Sequence, residues 1–142
     1  MLNTYSKLDF YCTYKSIFEP ERYLNIVNCK NYRIALCRLR LSSHDLEIEC
    51  GRYRNISRND RLCKFCLKSK GIHCIEDELH FIEYCGLYND IRNNCKLPKY
   101  LLFFGNTINL FKYGGANILN DLAKYVFLAF KKRDTFMKSQ QD

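Results

Sequence analysis

Residues 62–85, LCKFCLKSKGIHCIEDELHFIEYC, carry the strongest structural constraint in the chain. They set Cys63-x2-Cys66, then thirteen residues, then His80-x4-Cys85. Two cysteines two residues apart can make a tight turn that points both sulfurs inward, as a tetrahedral Zn²⁺ requires. His80 and Cys85 stand about one and a third helical turns apart, so both reach one ion if Cys85 lies where the helix unwinds. Three thiolates and an imidazole close the tetrahedron and leave no position for a substrate water. One structural zinc ion, held by Cys63, Cys66, His80 and Cys85, is therefore expected. His73 and Cys74 lie in the same loop and are rival ligands, each able to replace His80 or Cys85.

The surroundings of this stretch support a metal over disulfides. The chain has nine cysteines, an odd count, and no apolar run of signal-peptide length at its start, where Lys7 and Asp9 interrupt it. Nor does any segment approach the ~20 apolar residues of a membrane span. The protein is expected inside the cell, in nucleus or cytoplasm, with no membrane partner. Cys12, Cys29, Cys37, Cys50, Cys74 and Cys95 are expected to be small core residues.

Upstream, residues 4–18 repeat apolar groups at Tyr5, Leu8, Tyr11 or Cys12 and Ile17, close to helical spacing. Pro20 opens a short helix with Tyr23, Ile26 and Val27 on one face. Asn31 is placed to cap a third helix through Ile34, Cys37 and Leu41, on which Arg33 and Arg40 share a solvated face. In residues 42–60 that period fails. Leu46, Ile48 and Cys50 alternate with charged residues, as in a short strand or extended arm, and Gly51 ends the alternation. Then come Arg52, Arg54, Arg58, Arg61, Lys64, Lys68 and Lys70 against Asp60 alone, with Tyr53 and Phe65 among them.

Downstream, residues 76–84 read as a helix with acids in its first turn, where the helix dipole favours them. A second piece follows over residues 87–95. Pro98 separates it from the apolar run 101–104, and Gly105 breaks the chain again. After Gly114 and Gly115, the residues Ile118, Leu119, Leu122, Tyr125, Val126, Ala129 and Phe130 keep helical spacing, and Lys131, Lys132 and Arg133 end that helix. The fold class is mainly α: one small helical domain over residues 1–142 with a Cys-Cys-His-Cys zinc-binding element. It divides into a helical region at about 4–42, a basic arm and zinc element at about 43–95, and a C-terminal helical region at about 101–137.

The net charge of +8 points to a polyanionic partner. RNA or DNA is expected, gripped through Arg52, Tyr53, Arg54, Arg58, Arg61, Lys64, Lys68 and Lys70. The cations would meet phosphates, and Tyr53 and Phe65 could stack on unpaired bases. Core packing is the alternative for Tyr53 and Phe65, and the favoured one for Phe65, which sits between two ligands. His44 beside Asp45 has no nucleophile placed with it, and a solvated role is expected. A zinc-stabilised protein-interaction module is the other reading, since the run 101–104 could be exposed. The sequence leaves the oligomeric state open and suggests no small-molecule substrate.

Residues 39–61 (LRLSSHDLEIECGRYRNISRNDR), continued by LCKFC at 62–66 and EDELHFIEYCGLYNDIR at 76–92, resemble the region downstream of the polymerase in non-LTR (LINE-type) retrotransposon reverse transcriptases. The likeness covers roughly residues 5–92. Its most specific parts are the Cys63/Cys66 pair and Glu76, Asp77, Glu78, His80, Phe81, Cys85, Tyr88 and Arg92. It implies that Cys63, Cys66, His80 and Cys85 are the family's ligands and that the segment holds template RNA or target DNA. No adjacent Asp-Asp pair occurs, and no endonuclease arrangement of acids is recognisable. The chain is thus expected to be a C-terminal fragment or an inactive remnant of such an element, not an enzyme.

Overall fold

In the computed structural model, residues 7–13, 15, 17 and 19–142 are described. Their α-helices are α1 (Asp9–Cys12), α2 (Arg22–Ile26), α3 (Lys30–Arg40), α4 (Glu47–Tyr53), α5 (Lys64–Lys70), α6 (Asn89–Asn94), α7 (Leu97–Phe104), α8 (Thr107–Tyr113) and α9 (Ala116–Ser139). A π-helical turn, His80–Tyr84, and a 3₁₀ turn, Gly86–Tyr88, join α5 to α6. Among the described residues there is no strand, only an antiparallel bridge between Leu62 and Ile75. The protein is mainly α, with the Cys-Cys-His-Cys element built into it. No helix of the described residues is long and apolar enough to cross a membrane.

The core forms around α9, because its period of apolar residues is long and unbroken. Leu119, Leu122, Ala123, Tyr125, Val126 and Ala129 are buried there. They pack with Leu36 and Leu39 of α3, Tyr23 of α2, and Leu97 of α7 in one cluster that also holds Cys63, Cys66 and Cys85. These three cysteines are thus continuous with the hydrophobic core.

Several local expectations are revised, each by a tertiary contact. Residues 47–53 are helical, not a strand or extended arm. Glu76 supplies the reason: its carboxylate accepts from the Glu47 N–H at 2.7 Å and its carbonyl from the Ile48 N–H at 3.1 Å, so a distant segment caps the first turn. Gly51 lies inside this helix because Arg61 crosses it; a Cβ there would meet Arg61 Cγ at 2.5 Å. Asn31 is inside α3, which starts at Lys30 with Cys29 at its cap position. Pro98 occupies the first turn of α7, where its missing N–H costs nothing, and so opens the apolar helix. Lys131–Arg133 do not end α9, which continues to Ser139.

Arg40 is buried, not solvated: it pairs with Glu21 at 2.7 Å, and its guanidinium lies 5.0 Å from the ring centres of Tyr23 and Phe111. His44 is likewise buried and shares a 3.0 Å hydrogen bond with Glu78. Cys12 and Cys29 are exposed, whereas Cys95 is in the core. Of the expected helix over residues 4–18, only Asp9–Cys12 is formed among the described residues, and Thr4, Tyr5 and Phe18 lie outside them.

Candidate metal centre

Cys63 takes the cap position of α5 in extended geometry, and Cys66 follows in the first turn. Behind them, the Cys63 N–H donates to the Cys74 carbonyl at 2.8 Å and the Glu76 N–H to the Arg61 carbonyl at 2.9 Å, so the two arms of the loop are clipped together. Gly71 closes α5 at φ +63°, a left-handed conformation that favours glycine.

The other half of the site is the π-helical turn. Asp77 starts it: its carboxylate accepts from the His80 N–H at 2.8 Å, and its carbonyl accepts from Phe81 at 3.0 Å. The turn ends with the Cys85 N–H donating to the His80 carbonyl, five residues back, at 2.8 Å. Cys85 itself has left the helix, with ψ near 124°. This change of winding brings a histidine and a cysteine five positions apart to one point.

The four ligand atoms all lie within 4.8 Å of one another, and all four residues are buried. Cys63 Sγ is 3.8 Å and Cys66 Sγ 4.0 Å from Cys85 Sγ, and Cys66 Sγ is 3.6 Å from His80 Nε2. A tetrahedral ion with bonds of ~2.3 Å to sulfur and ~2.0–2.1 Å to nitrogen has edges of roughly 3.8 and 3.5 Å. The cluster therefore fits a metal ion, presented through His80 Nε2. His73 is exposed and Cys74 half-buried, and both lie outside the group.

Crowding of the sulfurs sets the acid–base behaviour of the metal-free site. The Cys85 sulfur and burial push the Cys63 thiol up to about 12, and burial with the neighbouring Cys63 pushes Cys66 up to about 11. An ion must displace these protons, so metal uptake at pH 7 is expected to release about three protons per ion. Apparent affinity should rise with pH, by up to about tenfold for each proton displaced per pH unit. The metal-free fold should respond in the opposite sense. Its raised thiol pKa values hold protons that the unfolded chain loses first, so its stability should fall as pH climbs from ~9 through the folded-state values. Proton release followed with a weakly buffered indicator checks the first statement; uptake without release would mean that the thiols are not ligands.

A bracing layer holds the ligand-bearing segments. Arg92, buried on α6, donates to the carbonyls of Ile82 at 2.7 Å and Cys85 at 3.0 Å, which satisfies the end of the π turn. Tyr125 of α9 donates to the Phe81 carbonyl. Glu76 forms a two-pronged pair with Arg133 of α9, Nε to Oε1 and Nη2 to Oε2, both at 2.8 Å. Burial opposes the Arg133 charge, and the Glu76 carboxylate more than restores it. These bracing roles went unread in the sequence. Only Asp77, three residues before His80, carried a local signal, that of a helix cap.

The expected basic surface is partly neutralised within the fold. Arg52 donates to Glu49 at 2.8 Å and stands 4.8 Å from the ring centre of Tyr53, which is 69% exposed. Glu47 accepts from Arg54 and is 3.6 Å from Lys64. Arg61 donates to the carbonyls of Ile48 and Ile56, each at 2.9 Å, and so serves the fold. Lys68 donates to Gln140, Lys70 is exposed, and Arg58 is half-buried in a 3₁₀ turn. Phe65 packs edge-on against Phe136 with ring centres 5.6 Å apart. The counter-charges Glu47 and Glu49 precede the cationic run, so a charge count confined to residues 52–70 overlooks them.

No protein-family model matches the chain, and comparison with curated proteins and with solved structures gave no match.

Proposed function

We propose that the protein is a zinc-stabilised nucleic-acid-binding module of the kind its sequence resembles, the region downstream of the polymerase in retrotransposon reverse transcriptases. Three thiolates and an imidazole suit Zn²⁺ better than the hard, oxygen-seeking cations, and the closed ligand set gives the ion a structural task. When bound, it fixes α5 against the π turn. That holds Lys64, Lys68 and Lys70 in a constant array.

The observation that carries the nucleic-acid reading is the cation excess left after internal pairing. Lys70, Lys99, Lys112, Lys124 and Lys138 are exposed and have no carboxylate at ion-pair distance among the described residues. The net charge of +8 falls by only about one when three thiolates bind a divalent ion. Such a surface attracts phosphates with little sequence choice.

The internal pairs divide the predicted contacts into two groups. Lys68→Gln with Lys70→Gln should reduce the slope of log affinity against log salt for single-stranded RNA by up to about 1.4, at about 0.7 per phosphate contact. Arg52→Ala with Arg54→Ala should change it less, because a phosphate must displace Glu49 and Glu47 first. Titrating a short labelled RNA at three salt concentrations measures both. Feeble wild-type association at ~150 mM salt, indifferent to all four substitutions, would defeat the nucleic-acid reading.

A further inference from the structure

Leu102 and Phe103 are 87% and 81% exposed, side by side near the end of α7. Beneath them Leu97 and Leu110 are fully buried, so α7 and α8 are firmly packed and the two side chains project from an ordered base. Single exposed apolar residues are ordinary on protein surfaces, but an adjacent pair this large and this open marks a contact.

The chemistry around the pair is one-sided. From Asp90 to Asp121 the intervening sequence contains no Asp or Glu, while Lys96, Lys99 and Lys112 lie within it. All three are exposed, with no carboxylate at ion-pair distance among the described residues. Lys96 is the cap residue of α7, in a left-handed conformation, and Lys99 stands one turn before Leu102 and Phe103, at i+3 and i+4. The projection is apolar at its end and cationic along its flank; Asp121 reaches α7, but there it accepts from Tyr100 at 2.6 Å and pairs with neither lysine.

We infer that Leu102 and Phe103 form a wedge that enters a nucleic-acid duplex between stacked base pairs, with Lys96 and Lys99 against the flanking phosphates. It rests on the nucleic-acid-binding role proposed above. Wedges of Phe and Leu at base steps, with cations on the backbone, are a recurring way to kink a duplex. The lysines select a polyanion over an uncharged protein groove. Between a duplex and an anionic bilayer, the small size of the apolar end decides. A single myristoyl chain gives only marginal membrane attachment, and these two side chains offer less hydrocarbon than that chain. A base step needs no more than the pair.

The chain contains no Trp, so Phe103→Trp makes a single-tryptophan reporter at the wedge. Titrated with a short DNA duplex carrying a donor–acceptor dye pair at its ends, this variant should lose about half or more of its emission. Energy transfer should report a bend of roughly 20–90°. Leu102→Ser with Phe103→Ser keeps every charge; it should keep the salt slope, bind about tenfold more weakly and leave the duplex unbent. Tyr113→Ser, which removes an exposed aromatic elsewhere, should behave as wild type. Binding with unchanged tryptophan emission, or a bend that survives the double serine variant, would overturn the wedge and leave nucleic-acid binding standing. So would binding to single-stranded RNA but not to the duplex. Binding to neither would overturn both. A blue shift with phosphatidylcholine–phosphatidylserine vesicles, without quenching by the duplex, would overturn the wedge and assign the projection to membranes.

Discussion

Cys85→Ser is expected to release the bound ion and to lower the melting temperature by about 8–16 °C in zinc-replete buffer. An ion present at a thousand times its dissociation constant contributes about 4 kcal/mol, and a domain of this size shifts by about 2–4 °C per kcal/mol. The loss should be concentrated in the metal element, because the end of the π turn then keeps its Arg92 hydrogen bonds but no tie to α5 through the ion. Cys63→Ser, Cys66→Ser and His80→Ala should act alike, since removing any one ligand opens the tetrahedron. Cys74→Ser should retain one ion per chain and melt near the wild-type temperature. Metal content by elemental analysis, with a melting curve on the same samples, decides. Full zinc retention in Cys66→Ser with Cys85→Ser would falsify the ligand set, and a damaging Cys74→Ser would favour the rival one.

The second large effect is expected at Glu76. Its carboxylate carries both the Arg133 guanidinium and the Glu47 N–H, and the side chains of the ion pair are each only 6% exposed. Glu76→Ala leaves a buried cation unpaired and an uncapped helix start, and should cost about 3–5 kcal/mol. Removing both charges is gentler than removing one, because no ion is then left without a partner. Glu76→Gln combined with Arg133→Met should therefore be more stable than Glu76→Ala by at least about 1 kcal/mol in chemical denaturation. A double variant as unstable as the sum of the single changes would show that the pair is not coupled. The metal should remain bound in all of these, which separates loss of bracing from loss of ligands.

These contrasts show which features could be read from residue order. The metal-binding motif and α9 were legible because each carries its constraint locally: a fixed ligand spacing in one, a long 3.6-residue period in the other. The helix over residues 47–53 was not. Leu46, Ile48 and Cys50 satisfy an alternating pattern equally well, and the cap that settles the matter is on Glu76, far along the chain. Arg40 and His44 looked solvated for the same reason, since Glu21 and Glu78 that pair with them are not neighbours in sequence. The π turn has no residue signature of its own. It follows from closing His80 and Cys85 onto one point while Arg92 takes the carbonyls left over.

The Glu76–Arg133 pair also imposes an order on biosynthesis. A ribosome releases the whole metal motif before it makes α9, so a nascent chain can assemble its four ligands while Glu76 still has no cation to meet. Until α9 arrives, the loop is free to hold an ion without being fixed to a core. Occupation of the four-ligand cluster and its final locking are thus separable events, and the second waits for the helix that completes the hydrophobic centre. A ribosome stalled between the two would display the motif with its Glu76 carboxylate uncovered, a group that the finished protein conceals beneath Arg133.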